Sequence, residues 1–214
     1  MTSTLLNRIR SRQAHIGIIG LGYVGLPLAV TAAKRGLATV GLDIDAEKTD
    51  RLKTGKSYIE AVSDSDLAEL NAAGSVTWST DFARLAALDV IVICVPTPLT
   101  SHREPDLSYI TETAAMIARH LTPETLVVLE STTFPGTTAD VLTPILERSR
   151  LKAGKDFFVG FSPEREDPGN ADFRTATIAK IVAGDGAEAG ELVQAFYGIV
   201  VDKEGLHSPA SPEQ

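Results

Sequence analysis

Apolar residues in this chain come in short unbroken runs, and amphipathic stretches separate them. "HIGIIGL" predicts a buried strand over 15–20, and "LATVGLDID" a second strand ending at Asp43. "DVIVICV", "TLVVLEST" and "DFFVGFS" predict three more, "SVTWS" a short edge strand, and "AKIVAGD" and "GIVVD" two further strands around the helix "GAEAGELVQAFY". Between them, "YVGLPLAVTAAKRG" reads as a helix ended by Gly36, "DAEKTDRLKTG" as a polar helix closed by Gly55, and "DSDLAELNAAG" as another closed by Gly74. "LSYITETAAMIARHL" and "TTADVLTPILERSR" complete the helices. Strands without polar alternation, separated by helices, belong in a parallel sheet covered on both faces, so the expected fold is a doubly wound, mostly parallel α/β sheet. "MTSTLLNRIRSRQAH" reads as a short amphipathic helix with Leu5, Leu6 and Ile9 on one side, and "KEGLHSPASPEQ" loses the apolar pattern. The expected organisation is a helical extension over 1–14, one domain over 15–202 and a tail over 203–214.

Composition narrows the function. The chain has 214 residues and a formal net charge of -8. A surface that tracks nucleic-acid phosphates needs surplus Lys and Arg, so a nucleic-acid partner is not expected. The lone cysteine, Cys94, cannot form an internal disulfide, which fits a reducing cytoplasm. Its place in "VIVICVP" makes it a small buried hydrophobe. The N-terminus has arginines at 8, 10 and 12 but no apolar core of a secretory signal, and no run has the length of a membrane span. No metal is expected. The histidines at 15, 102, 120 and 207 are scattered, and "DIDAEK" lacks the glycine and closing Glu of a calcium loop.

Residues 20–25 read "GLGYVG", a G-x-G-x-x-G motif set directly after a strand and opening a helix. Gly20 permits the tight turn, Gly22 admits a pyrophosphate to the backbone, and Gly25 lets helix and strand pack closely. The helix N-terminus offers N–H groups and partial positive charge to the phosphates. Asp43 follows at the end of the second strand, close to the spacing of the acid that binds the adenosine ribose. A carboxylate there accepts from ribose hydroxyls and repels a 2′-phosphate, which points to NAD over NADP. The bland alternative is a glycine-rich turn followed by a surface Asp. Strand, glycines, helix and acid together favour a Rossmann-like NAD-binding domain.

In a parallel sheet, ligands bind beyond the carboxyl ends of the strands. Four such ends are "GLGYVG", "PTP" at 96–98, "EST" at 130–132 and "SPERED" at 162–167, and they bring Thr97, Glu130, Thr132 and Glu164 toward one crevice. For Ser131, Thr132 and Thr133, helix capping ahead of "GTTADVL" stands beside a ligand role. For "SPEREDPGN", a solvated surface loop stands beside an active-site segment.

The ordered set "IGIIGLGYVGLPLA", "LDIDAEK", "CVPTP", "REPDLS", "LESTTFPGTT" and "FSPEREDPGN" resembles the UDP-glucose/GDP-mannose dehydrogenase family over about residues 15–201. "SPEREDPGN" and "STTFPGTT" are most similar to the branch that oxidises UDP-N-acetyl-hexosamines. The resemblance implies oxidation of a nucleotide-sugar C6 alcohol to a carboxylate, with two hydrides passed in turn to two NAD, in surface-polysaccharide precursor synthesis. It implies that Gly20, Gly22, Tyr23, Val24 and Gly25 form the phosphate turn. Asp43 and Lys48 would bind the adenosine side, while Pro96, Thr97 and Thr132 line the cofactor site. It implies Thr132 and Glu164 as catalytic, with Glu164 the base for a water, and Arg165 and Glu166 as substrate contacts. The second Glu of the hexose branch, four residues after the first, has no clean counterpart here.

The family's "GGHC"-like motif with the nucleophilic cysteine, and its "AEMxKxxEN"-like central helix, are not found in these residues. The expectation is that this chain binds NAD but, lacking a thiol nucleophile, does not complete the four-electron oxidation by itself. The missing C-terminal half would then have to come from elsewhere, such as a separate chain. Two alternatives stay open: a free-standing dinucleotide-binding module acting as sensor or partner subunit, and a fragment of a β-hydroxyacid-type dehydrogenase, which shares the first motif. Steady NADH production from a UDP-sugar by the purified 214-residue chain, followed at 340 nm, would contradict the expectation.

Overall fold

In this computed structural model, residues 4–99, 105–163, 180–201 and 206–207 are described. Along the chain the elements are α1 (Thr4–Arg10), β1 (His15–Ile19), α2 (Gly25–Lys34), β2 (Ala38–Leu42), α3 (Ala46–Lys53), α4 (Asp64–Ala72) and β3 (Val76–Ser79). Then come β4 (Val90–Ile93), α5 (Ser108–His120), β5 (Leu126–Leu129), α6 (Thr143–Leu146) and β6 (Phe158–Phe161). β7 (Lys180–Ile181), β8 (Ala183–Gly184), α7 (Ala187–Val200) and β9 (Leu206–His207) complete them.

Seven strands form one sheet in the order β3-β2-β1-β4-β5-β6-β8. Every pair is parallel except the β6–β8 edge, which is antiparallel. β7 and β9 make a separate two-residue parallel ladder. The chain runs outward from β1 to β3, then crosses back to β4 and continues to β6. Strand order therefore reverses between β1 and β4, which opens a crevice at their carboxyl ends.

Both faces of the sheet are buried, and the period of two along each strand divides the core. Ile16, Ile18, Val90, Val92, Leu126 and Val128 face one apolar layer, together with residues of α1, α2 and α7. Ile19, Ile91, Ile93, Val127 and Leu129 face the other, against α5 and α6. This is why the strands read as continuous apolar runs. "SVTWS" supplies β3, which lies at the sheet edge as expected.

Three expected elements differ. "GIVVD" is not a strand: Gly198–Val200 are the last turn of α7. The buried residues Ala189, Leu192, Val193, Phe196, Tyr197 and Val200 keep a helical spacing to the end, and this outweighs the β-branched character of the valines. "AKIVAGD" is split into β7 and β8, which pair with different strands. "TTADVLTPILERSR" is not one regular helix: a π-helical turn over Thr137–Leu142 precedes α6, and a 3-10 turn over Glu147–Ser149 follows it. Pro144 has no N–H to donate into the preceding turn, and the Thr143 hydroxyl instead reaches the Thr138 carbonyl at 2.9 Å.

The N-terminal helix is part of the domain's core. Leu5, Leu6 and Ile9 are buried with the α7 side chains. Arg8 closes a two-pronged pair on Asp89 at the start of β4, Nη1–Oδ1 2.6 Å and Nη2–Oδ2 2.7 Å. Ile9→Ala is expected to lower stability by about 2–4 kcal/mol through the cavity it leaves. Ile44→Ala, at an exposed side chain, should change it by less than about 0.5 kcal/mol. Urea denaturation of the two variants checks this, and equal midpoints would show that α1 does not pack as described.

Candidate dinucleotide-binding site

The turn from β1 into α2 holds the three motif glycines in different environments. Gly20 has φ +89, and a Cβ there would lie 2.7 Å from the Cys94 carbonyl oxygen. A Cβ on Gly25 would sit 1.9 Å from the Gly20 carbonyl oxygen, so only glycine lets the helix start this close to the strand. At Gly22 a Cβ would meet nothing within 4 Å, because that position faces the crevice. No side chain caps α2 at Val24, and its first turn carries no acid. In its first turn the Leu26 N–H already donates to the Gly22 carbonyl and Pro27 has no N–H, so α2 offers an anion the Gly25 N–H and its partial positive charge.

Asp43, only 6% exposed, ends β2 beside this turn. Its Oδ2 accepts the Leu21 N–H at 2.8 Å and Lys48 Nζ at 3.3 Å, and its Oδ1 accepts the Asp45 N–H at 3.0 Å. Asp45 in turn caps α3 by accepting from the N–H groups of Glu47 and Lys48. Among the described residues no cluster of His, Cys, Asp or Glu could hold a metal ion. On the other side of Leu21, the Tyr58 hydroxyl donates to the Leu21 carbonyl at 2.7 Å.

A cleft of about 570 Å³ runs across the switch point from the end of β2 to the end of β5. At the β5 end two hydroxyls tie neighbouring loops together. Thr97 Oγ1 donates to the Thr132 carbonyl at 2.6 Å, and Ser131 Oγ donates to the Val95 carbonyl at 2.8 Å. The capping role weighed for residues 131–133 is not what Ser131 and Thr132 do: the helical turn that follows starts at Thr137, and its N-cap position is Gly136, with no side-chain cap.

Glu130 lines the cleft but is 1% exposed. Its Oε1 is bonded by Lys180 Nζ, which is fully buried, and its Oε2 accepts the Tyr197 hydroxyl at 2.5 Å. Burial first, and then the Glu130 charge, push the Tyr197 phenol well above its ordinary pKa, so it remains a donor.

The sequence profile described as "UDP-glucose/GDP-mannose dehydrogenase family, NAD binding domain" matches residues 14–201. The chain belongs to this family. It is 38% identical to "Protein CapL" of Staphylococcus aureus over 92% of this chain and 45% of that protein. It is 36% identical to "UDP-N-acetyl-D-glucosamine 6-dehydrogenase" of Pseudomonas aeruginosa over 94% and 46%. Among solved structures, the UDP-D-ManNAc dehydrogenase of Pyrococcus horikoshii superposes with a TM-score of 0.82 at 34% identity, over 88% of this chain and 45% of that one. The chain thus spans a little under half the length of these relatives, in the region of the family's NAD-binding domain.

Of the residues singled out in the sequence, Gly20, Gly22, Tyr23, Val24, Asp43, Lys48, Pro96, Thr97 and Thr132 all border this one cleft. Gly25 lies behind it in its packing role. Glu164, Arg165 and Glu166 lie outside the described residues. The residues fit NAD: an acid just after β2, an open glycine, a helix start without a side-chain cap and a long cleft. No helix of the described residues is long and apolar enough to cross a membrane.

Sequence reasoning passed over Tyr58, Lys180 and Tyr197. Lys180 had a usable signal, since a lysine at the head of an apolar run is either exposed or paired. Tyr58 and Tyr197 had none, because each acts across a long sequence separation. Removing one member of a buried ion pair strands the other, so Glu130→Ala is expected to lower stability by about 3–5 kcal/mol. Glu112→Ala, an exposed acid on the same cleft, should cost less than about 0.5 kcal/mol. Thermal or urea unfolding of both variants checks this, and a small loss for Glu130→Ala would mean the pair is not formed.

Proposed function

We propose that this chain is the NAD-binding half of a nucleotide-sugar 6-dehydrogenase. Its reaction is oxidation of the C6 alcohol of a UDP-sugar, of the N-acetyl-hexosamine class, to the carboxylate. Two NAD take the two hydrides, and water supplies the second carboxylate oxygen. The carrying observation is the cleft across the β1/β4 switch point, with Asp43 at one end and the hydroxyl-tied β4 and β5 loops at the other. The relatives named UDP-N-acetyl-D-glucosamine 6-dehydrogenase and UDP-N-acetyl-D-mannosamine dehydrogenase support the substrate class.

Asp43 and Lys48 take the adenosine ribose, and Ile44, 73% exposed beside them, offers an apolar face to the base. The Gly20–Gly25 turn, with Tyr23 and Val24, takes the pyrophosphate. Pro96, Thr97 and Thr132 take the nicotinamide end, with Thr132 nearest the chemistry. Bound NAD supplies the hydride acceptor. Glu164 as base and Arg165 and Glu166 as substrate contacts rest on the family resemblance, as does a role in polysaccharide precursor synthesis. The remainder of the catalytic machinery, including the thiol nucleophile, comes from the region the relatives carry beyond this match. A cytoplasmic setting suits a protein whose lone cysteine is reduced.

Calorimetric titration of the chain with NAD and NADP tests the reading. NAD is expected to bind at least about tenfold more tightly, since a 2′-phosphate would face the Asp43 carboxylate. Asp43→Asn should weaken NAD by about tenfold, the scale of a hydrogen bond to a charged group. Equal affinity for the two cofactors, or binding of neither, would overturn it.

A further inference from the structure

The segment between α3 and α4 carries a residue with a defined job at the phosphate turn. Tyr58 packs against the same core layer as Val24, and its hydroxyl reaches the Leu21 carbonyl at 2.7 Å. The segment around it is well anchored. Ile59 and Val62 are buried. The Ser57 N–H reaches Asp64 Oδ1 at 2.8 Å, and Arg51 Nη2 bonds the Ser57 carbonyl at 2.5 Å. The Arg51 guanidinium also lies over the Tyr58 ring, 5.9 Å from its centroid.

Leu21 is therefore gripped on both sides, its N–H by Asp43 and its C=O by Tyr58. The 21–22 peptide is trans, and in a trans peptide the C=O and the following N–H point in opposite directions. With the Leu21 oxygen committed to Tyr58, which does not line the cleft, the N–H of Gly22, which does, is turned the other way. No described protein group accepts from that N–H. If this peptide flipped, a carbonyl oxygen would confront the phosphates in place of a donor.

Resting on the NAD reading above, we propose that Tyr58 is a positioning residue for the dinucleotide pyrophosphate: its hydroxyl holds the Leu21–Gly22 peptide so that the Gly22 N–H faces the phosphates. Burial, then the charges of Asp43 and Asp45, push the Tyr58 phenol above its ordinary range, so the hydroxyl stays protonated and keeps donating.

The test titrates the 214-residue chain and its Tyr58→Phe variant with ADP and with adenosine, followed by amide NMR. ADP carries the pyrophosphate and adenosine does not. Tyr58→Phe is expected to weaken ADP by about five- to tenfold, the scale of one hydrogen bond, and to leave adenosine affinity unchanged. In the wild type the Gly22 amide resonance should shift on ADP binding and not with adenosine. Equal ADP affinity in the variant, or equal losses for ADP and adenosine, would overturn the inference. So would a wild-type Gly22 resonance that ignores ADP, and that reading needs no variant to fold. A wild type that binds neither ADP nor NAD overturns the dinucleotide reading itself, whereas binding with an unaffected variant overturns only the role of Tyr58.

Discussion

The Asp43 carboxylate holds the end of β2, the glycine turn and the start of α3 in one place. It accepts from Leu21, Asp45 and Lys48. Burying a carboxylate is costly unless its lone pairs are used, and here Lys48 and two backbone donors offset that cost. A carboxylate has about four acceptor positions, so about one remains for a ligand. A ribose diol offers two hydroxyls. Under the proposed placement one hydroxyl takes the remaining position, and Lys48 is the natural partner of the other oxygen. Lys48 then exchanges part of its bond to Asp43 for one to the ribose, and the acid and the lysine act as one recognition unit.

Glu130 is the contrasting case. It too ends a strand at the cleft, but both its oxygens are engaged, by Lys180 and Tyr197. Its charge is balanced inside the protein, and its bonds link β5 to β7 and α7. A Glu in this condition is poorly placed to take a proton from a substrate. It fastens the end of β5 to β7 and α7, next to Ser131 and Thr132, whose own bonds tie that loop to the β4 loop.

The elements written into the sequence were those whose cause is local. The runs in β4 and β5 are apolar because both faces are covered, and that is visible residue by residue. The glycine turn and Asp43 were legible because turn chemistry and strand ends have fixed spacing. "GIVVD" misled because four residues of valine, isoleucine and glycine look like a strand when taken apart from the helical stripe that begins at Ala189. Pairings across the fold were not legible. Tyr58 meets Leu21 across 37 positions, and Tyr197 meets Glu130 across 67, with no motif joining them. Such contacts exist only once the sheet has brought distant segments to one edge.

Taken from end to end, the cleft presents different chemistry to each part of a dinucleotide. An acceptor and a cation lie at the β2 end, backbone donors and a helix N-terminus at the centre, and groups already satisfied by the protein at the β5 end. A ribose diol, an anionic pyrophosphate and a nicotinamide ring ask for these in that order. The satisfied end has a chemical consequence. An unbalanced carboxylate beside the ring would favour the positively charged oxidised form and oppose hydride acceptance. Under the proposed placement of the ring, the bonds from Lys180 and Tyr197 to Glu130 offset that carboxylate's share of the penalty, while Thr97 holds the Thr132 carbonyl. The same buried contacts that fasten the sheet edge thus also balance the Glu130 charge at that end of the cleft.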